Sequence, residues 1–258
     1  MYRFLLRPSW IGLLLAAVAV AVGCIGLGRW QLDRLADREA RNAAVESAQA
    51  ADPVPVGSLL SLNQPFASAT QWRRVNATGR YDVAQEVLLR SQLDSGRAGF
   101  HVLTPLVTDD GTALLVNRGW IPIEPSGDAT RAPDVPTPPD GDVSVLGRVR
   151  ELQPVRAARA VPTADIVRLV PVDLLGLAGS LPYPVFSAYV ELVEQQPSGR
   201  AQPELLEPPE LTAGPHLAYA LQWFLFSGLG LVGYVVFARQ EAGSAAVGPG
   251  RRAAAMTV

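Results

Sequence analysis

The sequence predicts a membrane protein in which two transmembrane α-helices flank a mostly antiparallel β domain, α+β and barrel-like, on the extracytoplasmic side. Three observations predict it. No charged side chain lies between Arg7 and Arg29, and none lies between His216 and Arg239. Between those runs, short segments alternate apolar and polar residues at the period of a strand, with Gly, Asp and Pro marking turns. Each charge-free run exceeds the roughly 20 residues that cross a ~30 Å hydrocarbon core. A backbone in lipid must satisfy its own hydrogen bonds, so both runs read as helices.

In chain order, residues 1–9 are expected to form a cytoplasmic N-terminus and 10–28 the first transmembrane helix. Residues 29–50 continue that helix beyond the bilayer, with Asp33, Asp37 and Arg41 at spacing four along one side. Asp52-Pro53-Val54-Pro55 ends it. Residues 51–202 form the extracytoplasmic β-rich domain, 203–215 a Pro-rich tether, 216–238 the second transmembrane helix and 239–258 a cytoplasmic tail. Arg239, Arg251 and Arg252 follow the second run, while Arg200 alone lies in the twenty residues before it. Positive flanks favour the cytoplasm, so both termini are placed on the cytoplasmic side of a bacterial plasma membrane.

Within the domain, Arg74–Tyr81 alternates Val75, Ala77, Gly79 and Tyr81 against polar neighbours. Further strands are expected at Glu86–Ser91, Gly99–Val107 and Ala113–Trp120, joined by Asp94-Ser95-Gly96 and Asp109-Asp110-Gly111 turns. Proline density makes 122–139 an irregular loop. Val143–Arg150 reads as a strand, Val172–Ala178 as a short helix and Pro184–Glu194 as the last strand.

Composition narrows the function. Hydrophobic residues make up 48% of the chain and charged residues 18%, more apolar than an ordinary soluble domain. All basic residues are Arg, which reads as high-GC coding, and the segment between the helices is mildly acidic. No basic cluster marks a nucleic-acid partner. Cys24 is the lone cysteine, which excludes an intramolecular disulfide and a thiolate metal cluster. Ala21-Val22-Gly23-Cys24 is similar to a lipoprotein signal, but Ala21 stands where Leu is expected and the apolar run continues. The other reading of Cys24 is a small residue packed between helices. No zinc, phosphate-loop or nucleophile-elbow motif is present, and Asp109 and Asp110 read as turn residues. Binding is therefore expected, not catalysis.

One constellation could bind a ligand. The second helix opens with Gly214-Pro215-His216, and His216, Tyr219, Ala220 and Trp223 fall at i, i+3, i+4 and i+7. An imidazole there can ligate haem iron, with Tyr219 and Trp223 flanking the macrocycle and Arg29 and Arg34 pairing with its propionates. A plainer reading stands beside it, because Tyr and Trp collect at membrane interfaces without any ligand. His101 reads as an ordinary strand residue.

The segments "LGRWQLDRL" (27–35), "RRVNATGRYD" (73–82), "EVLLRSQLDSGRAGFHVLTPLV" (86–107), "LLVNRGWIP" (114–122) and "GPHLAYALQWF" (214–224) resemble the surfeit locus protein 1 family. Members of that family are assembly factors for cytochrome c oxidase. The resemblance implies a two-span layout, subunit I of the oxidase as client and haem a as the group delivered. It also implies haem a synthase as a further partner and the lipid bilayer as surroundings. The family's candidate iron ligand matches His216. Trp30, Gln31, Arg118, Gly119 and Trp120 fall on other family motifs, with structural jobs implied for Gly119 and Trp120. Residues 151–182 depart from the family pattern and inherit nothing. The alternative expectation is a scaffold for subunit I that never touches haem. An enzyme acting on haem or lipid has no catalytic set behind it.

Overall fold

A helix from Pro8 to Ala50 (α1) and another from His216 to Ala246 (α4) stand at the two ends of a β-rich chain. The computed structural model describes residues 3–62, 64–94, 97–122, 133–152, 169–170 and 174–246. Most of the expected 122–139 loop, Ser95-Gly96, most of 151–182 and the tail from residue 247 lie outside the described residues. Two units form, one from residues up to Ala43 together with those from Leu211 onward, the other from Ala44 to Glu210.

In the first unit, α1 begins at Pro8, where a missing N–H costs nothing, and stops ahead of Pro53. Its most apolar 18 residues have a mean hydropathy of 2.5, and those of α4 1.7; both are long and apolar enough to cross a membrane. The two helices run antiparallel: Gly28 lies against the Phe224 ring, and Trp10 meets Tyr234 edge-on at 6.0 Å. The buried line on α1 is Ala21, Cys24 and Gly28, at alternating steps of three and four. On α4 the buried residues are Ala220, Ser227, Ala238 and Ala242. Small side chains on both lines let the backbones approach closely, as in helix pairs in lipid. The opposite surfaces stay apolar and exposed, Leu15 at 64% and Phe237 at 63% among them. That is the reverse of a soluble protein's core helix, and it suggests membrane association.

Among its described residues the second unit holds one eight-stranded sheet. Its strands are β1 (Val54–Pro55), β2 (Arg74–Tyr81), β3 (Val87–Asp94), β4 (Arg97–Val107), β5 (Ala113–Pro122), β6 (Val143–Glu151), β7 (Leu169–Val170) and β8 (Val185–Gln196). They lie in the order β1-β2-β6-β8-β5-β4-β3-β7. Among the described residues most pairings are antiparallel, as expected: β2–β4, β2–β6, β3–β4, β4–β5 and β6–β8. The sheet is nonetheless mixed, because β1–β2, β3–β7 and β5–β8 are parallel. The expected barrel-like form comes down to one observed feature, the second pairing of β2, with β4 at Arg80↔Val107 and Tyr81↔Leu106.

β5 explains the core. Leu114 and Val116 enter one apolar cluster with Val75, Val145, Val190 and Leu192, while Leu115 enters another with Val87, Leu103 and Leu177. Alternate residues thus bury on opposite faces, and Ala113–Trp120 is buried throughout. A short helix, α3 (Leu174–Ser180), covers the second face through Leu177. One-turn helix α2 (Val56–Leu59) adds Val56 to the first cluster. The β4–β5 turn closes on Asp110, whose Oδ1 accepts from the Thr112 amide at 3.0 Å and the Thr108 hydroxyl at 2.5 Å. Those bonds hold its carboxyl below the usual range, as a turn residue.

Candidate functional site

The entry to α4 is built by residues of the first unit. Gly214 adopts φ +70°, which lets the chain turn into the helix, and the Tyr219 amide donates to the Pro215 carbonyl at 3.1 Å. Two side chains of α1 converge on the residue that precedes this turn: Arg38 Nε and Asn42 Nδ2 donate to the Thr212 carbonyl at 3.3 and 3.1 Å. His216, half-buried, then faces α1 with Nδ1 at 2.9 Å from Gln31 Oε1. One turn along α1, Gly28 makes room for the Phe224 ring, since a Cβ there would stand 2.5 Å from it.

The residues that spacing put on one face of α4 separate in degree. Ala220 is fully buried, Trp223 is half-buried with its ring edge-on to Phe226 at 6.0 Å, and Tyr219 is 47% exposed. A face of i, i+3, i+4 and i+7 spans an arc, and the pairing line runs through its His216–Ala220 side. On α1, Trp30 is 49% exposed with the Arg34 guanidinium 5.6 Å from its ring centroid, and Arg29 is exposed.

The second unit carries the "VNRGW" motif on β5, Val116 to Trp120. Val102 pairs with Gly119 and Leu103 with Asn117, so Arg118 is the extra residue of a bulge. Its side chain is 1% exposed, and Nη1 donates to Glu86 Oε2 at 2.8 Å while Nη2 donates to the Pro136 carbonyl at 2.5 Å. Thr104 adds a hydroxyl to the same carboxylate at 2.6 Å. The guanidinium lies 5.7 Å from the Tyr81 ring, and Tyr81 donates to Gln195 Oε1 at 3.0 Å. Burial pushes the Tyr81 phenol well above its usual range, against the opposing pull of Arg118. Asn117 Oδ1 accepts from the Gly119 amide at 3.1 Å, and Asn117 Nδ2 lies 3.2 Å from Nδ1 of half-buried His101. Gly119 has φ +134°, and Trp120, 1% exposed, has Arg97 stacked 4.6 Å from its ring.

A second buried ion cluster joins β6 and β8. Glu191 Oε1 lies 3.1 Å from Arg150 Nε, and its Oε2 lies 3.5 Å from Arg148 Nε. Burial pushes the Glu191 carboxyl up, against the pull of Arg150 and Arg148. The native state therefore holds that proton more tightly than the unfolded chain does. Stability from this group falls as pH rises from the ordinary carboxylate range through the raised value. Glu191→Gln is expected to flatten the pH dependence of urea unfolding in that window; an unchanged profile would count against the assignment.

Sequence reasoning did not pick out Glu86, Thr104 or Phe224, nor Glu204, which accepts from Arg97 Nη2 at 2.8 Å and exchanges backbone hydrogen bonds with Trp120. A signal for Arg118 existed: it interrupts the apolar strand "ALLVNRGW", and Glu86, at the head of the apolar run "VLL", is an acid that could meet it. A charge inside an apolar strand calls for an opposite charge buried beside it.

The family model for SURF1 matches residues 18–228, which takes in most of α1, the first part of α4 and all the described strands between them. The chain belongs to the SURF1 family. A SURF1-like protein of Mycobacterium tuberculosis is 32% identical over 251 residues, covering 92% of this chain and 86% of that protein. Surfeit locus protein 1 of Takifugu rubripes is 30% identical over 176 residues, covering 62% of the chain and 68% of the fish protein. The cytochrome oxidase assembly protein SHY1 of Saccharomyces cerevisiae is 30% identical over 96 residues, covering 37% of the chain and 24% of the yeast protein. For a haem, the donor chemistry of this family member fits as one ligand: an imidazole at a helix entry with aromatic rings along the same helix. The other histidine, His101, belongs to β4 in the second unit.

Proposed function

We propose that this protein is an assembly factor for a membrane-bound cytochrome oxidase, acting by binding and not by catalysis. It is multi-pass in the bacterial plasma membrane through residues 10–28 and 216–238, with cytoplasmic termini and the 51–202 domain extracytoplasmic. Covering the apolar area still exposed on α1 and α4 contributes about 25 cal/mol per Å², which favours a lipid surrounding. Its client is subunit I, and its cargo is haem a received from haem a synthase. The yeast relative's name supports the oxidase role. The observation that carries the haem reading is His216, half-buried at the first residue of α4 with one ring nitrogen engaged by α1. His216 would ligate the iron, Tyr219 and Trp223 would flank the ring, and Arg29 and Arg34 would meet the propionates. Haem a, when bound, supplies the redox centre of the finished client.

The test is an absorption spectrum of the detergent-purified chain, co-expressed with the enzymes that make haem a, beside His216→Ala. The parent is expected to show a haem a band and the variant none. The variant should keep its fold, because the lost hydrogen bond contributes about 0.5–1.5 kcal/mol. Full haem occupancy in the variant would sink the ligand assignment. The contact with Gln31 also favours a second reading, in which this face only pairs the helices and the protein is a haem-independent scaffold for subunit I. A colourless, folded parent that restores oxidase activity in a deletion strain would select it.

A further inference from the structure

Gln31 stands 2.9 Å from Nδ1 of His216, and its side-chain oxygen is the atom turned toward the ring. A carbonyl oxygen only accepts, so Nδ1 must carry the proton, and in a neutral imidazole the lone pair then belongs to Nε2. In water the neutral histidine ring favours the opposite form, with the proton on Nε2. A lone amide contact at this site therefore decides which nitrogen can bind a metal. We propose that Gln31 is a positioning residue that fixes His216 as its Nδ1–H tautomer and turns the lone pair of Nε2 away from α1. The proposal rests on the haem reading for its purpose but not for its geometry.

Three neighbouring features hold that contact in place. Gly28, three residues earlier on α1, lets the Phe224 ring come flush against the helix, so the backbones approach within reach of an amide side chain. Arg38 and Asn42 fix the Thr212 carbonyl just ahead of the turn into α4. Ala220, one turn on from His216, is fully buried on the same line. The imidazole is thus fastened from both sides along the chain, and Gln31 sets its rotation. Metal-binding histidines commonly donate their other ring N–H to an oxygen, which fixes the ring and raises its basicity.

The chain contains two histidines, so nitrogen-15 NMR of histidine-labelled full-length protein, free of haem, reads the tautomer directly; a His216→Ala spectrum assigns the signals. The parent is expected to show a pyrrole-type Nδ1 and a pyridine-type Nε2. Gln31→Leu should reverse the two, and Gln31→Glu, which keeps an accepting oxygen, should restore the parent pattern. A parent with a pyrrole-type Nε2, or a Gln31→Leu variant with an unchanged pattern, would overturn the proposal. Titration with haem a supplies the second readout. Gln31→Leu should weaken binding by roughly 10–100-fold, and Gln31→Glu should recover it with a lowered midpoint potential. Equal affinity and potential in all three proteins would also overturn it. If the tautomer behaves as expected and haem a does not bind at all, the positioning stands and the haem reading falls.

Discussion

Arg118→Met is expected to destabilise the β domain by about 3–5 kcal/mol, the loss usual when one partner of a buried ion pair is removed. The side chain is 1% exposed, and its partner Glu86 is 9% exposed, so water cannot take over the released carboxylate. After the substitution Glu86 keeps the Thr104 hydroxyl but has lost its charge partner, and the Pro136 carbonyl has lost a donor. The double variant Arg118→Met with Glu86→Leu should recover most of the loss, because the pair's own attraction is largely offset by its desolvation. Urea titrations of the full-length chain, followed by near-ultraviolet circular dichroism, give the four corners of the cycle. A single variant within 1 kcal/mol of the parent, or a double variant as weak as the single, would mean that Arg118 does not work through Glu86.

The second large effect concerns Gly119. Its φ of +134° is open to glycine and strained for any other residue, at a cost on the order of 1–3 kcal/mol. Space is lacking as well: an added Cβ would strike the Glu204 carbonyl and come 3.0 Å from Pro203 Cβ. That carbonyl cannot give way cheaply, because it accepts from the Trp120 amide at 2.7 Å while the Glu204 amide donates back to Trp120 at 2.9 Å. Gly119→Ala should therefore detach the 203–204 segment and speed hydrogen exchange at the Trp120 and Glu204 amides. Gly111→Ala is the control, since Gly111 has φ +78° but nothing within 4 Å of its added Cβ. Gly119→Ala is expected to cost clearly more than Gly111→Ala. Equal losses would assign the whole effect to backbone strain and none to the contact with the 203–204 segment.

The fit between sequence and structure is uneven for physical reasons. Strand β2 occupies the residues that alternation picked out, Arg74–Tyr81, because one face of each pleat is buried and the pattern is written in adjacent positions. Its burial alternates in the same way. The β4–β5 hairpin was equally readable, since Asp109-Asp110-Gly111 is a local turn and Val107 pairs with Ala113 across it. The last strand was found, but its neighbours were not. β8 lies parallel to β5 and antiparallel to β6, an arrangement that no local window specifies. The bulge at Arg118 was also hidden, because an extra residue shows itself only against the partner strand.

The candidate site divides in the same manner. The helical spacing of His216, Ala220 and Trp223 could be read from the sequence, but not which of them would be covered by α1. The contact of His216 with Gln31 joins residues 185 positions apart, and that of Arg118 with Glu86 joins residues 32 apart.

By itself, the sequence determined the two long apolar helices and the strand-forming segments between them, together with membership of the SURF1 family. Those follow from charge-free length, from the two-residue period and from motif order, all short-range properties of the chain. The tertiary structure decided the order and direction of the strands, the burial of Arg118 with Glu86, and the ring nitrogen of His216 that meets Gln31. Each depends on which distant groups are brought together when apolar surface is buried. A buried charge or a half-buried imidazole then takes the partner that this packing leaves within reach.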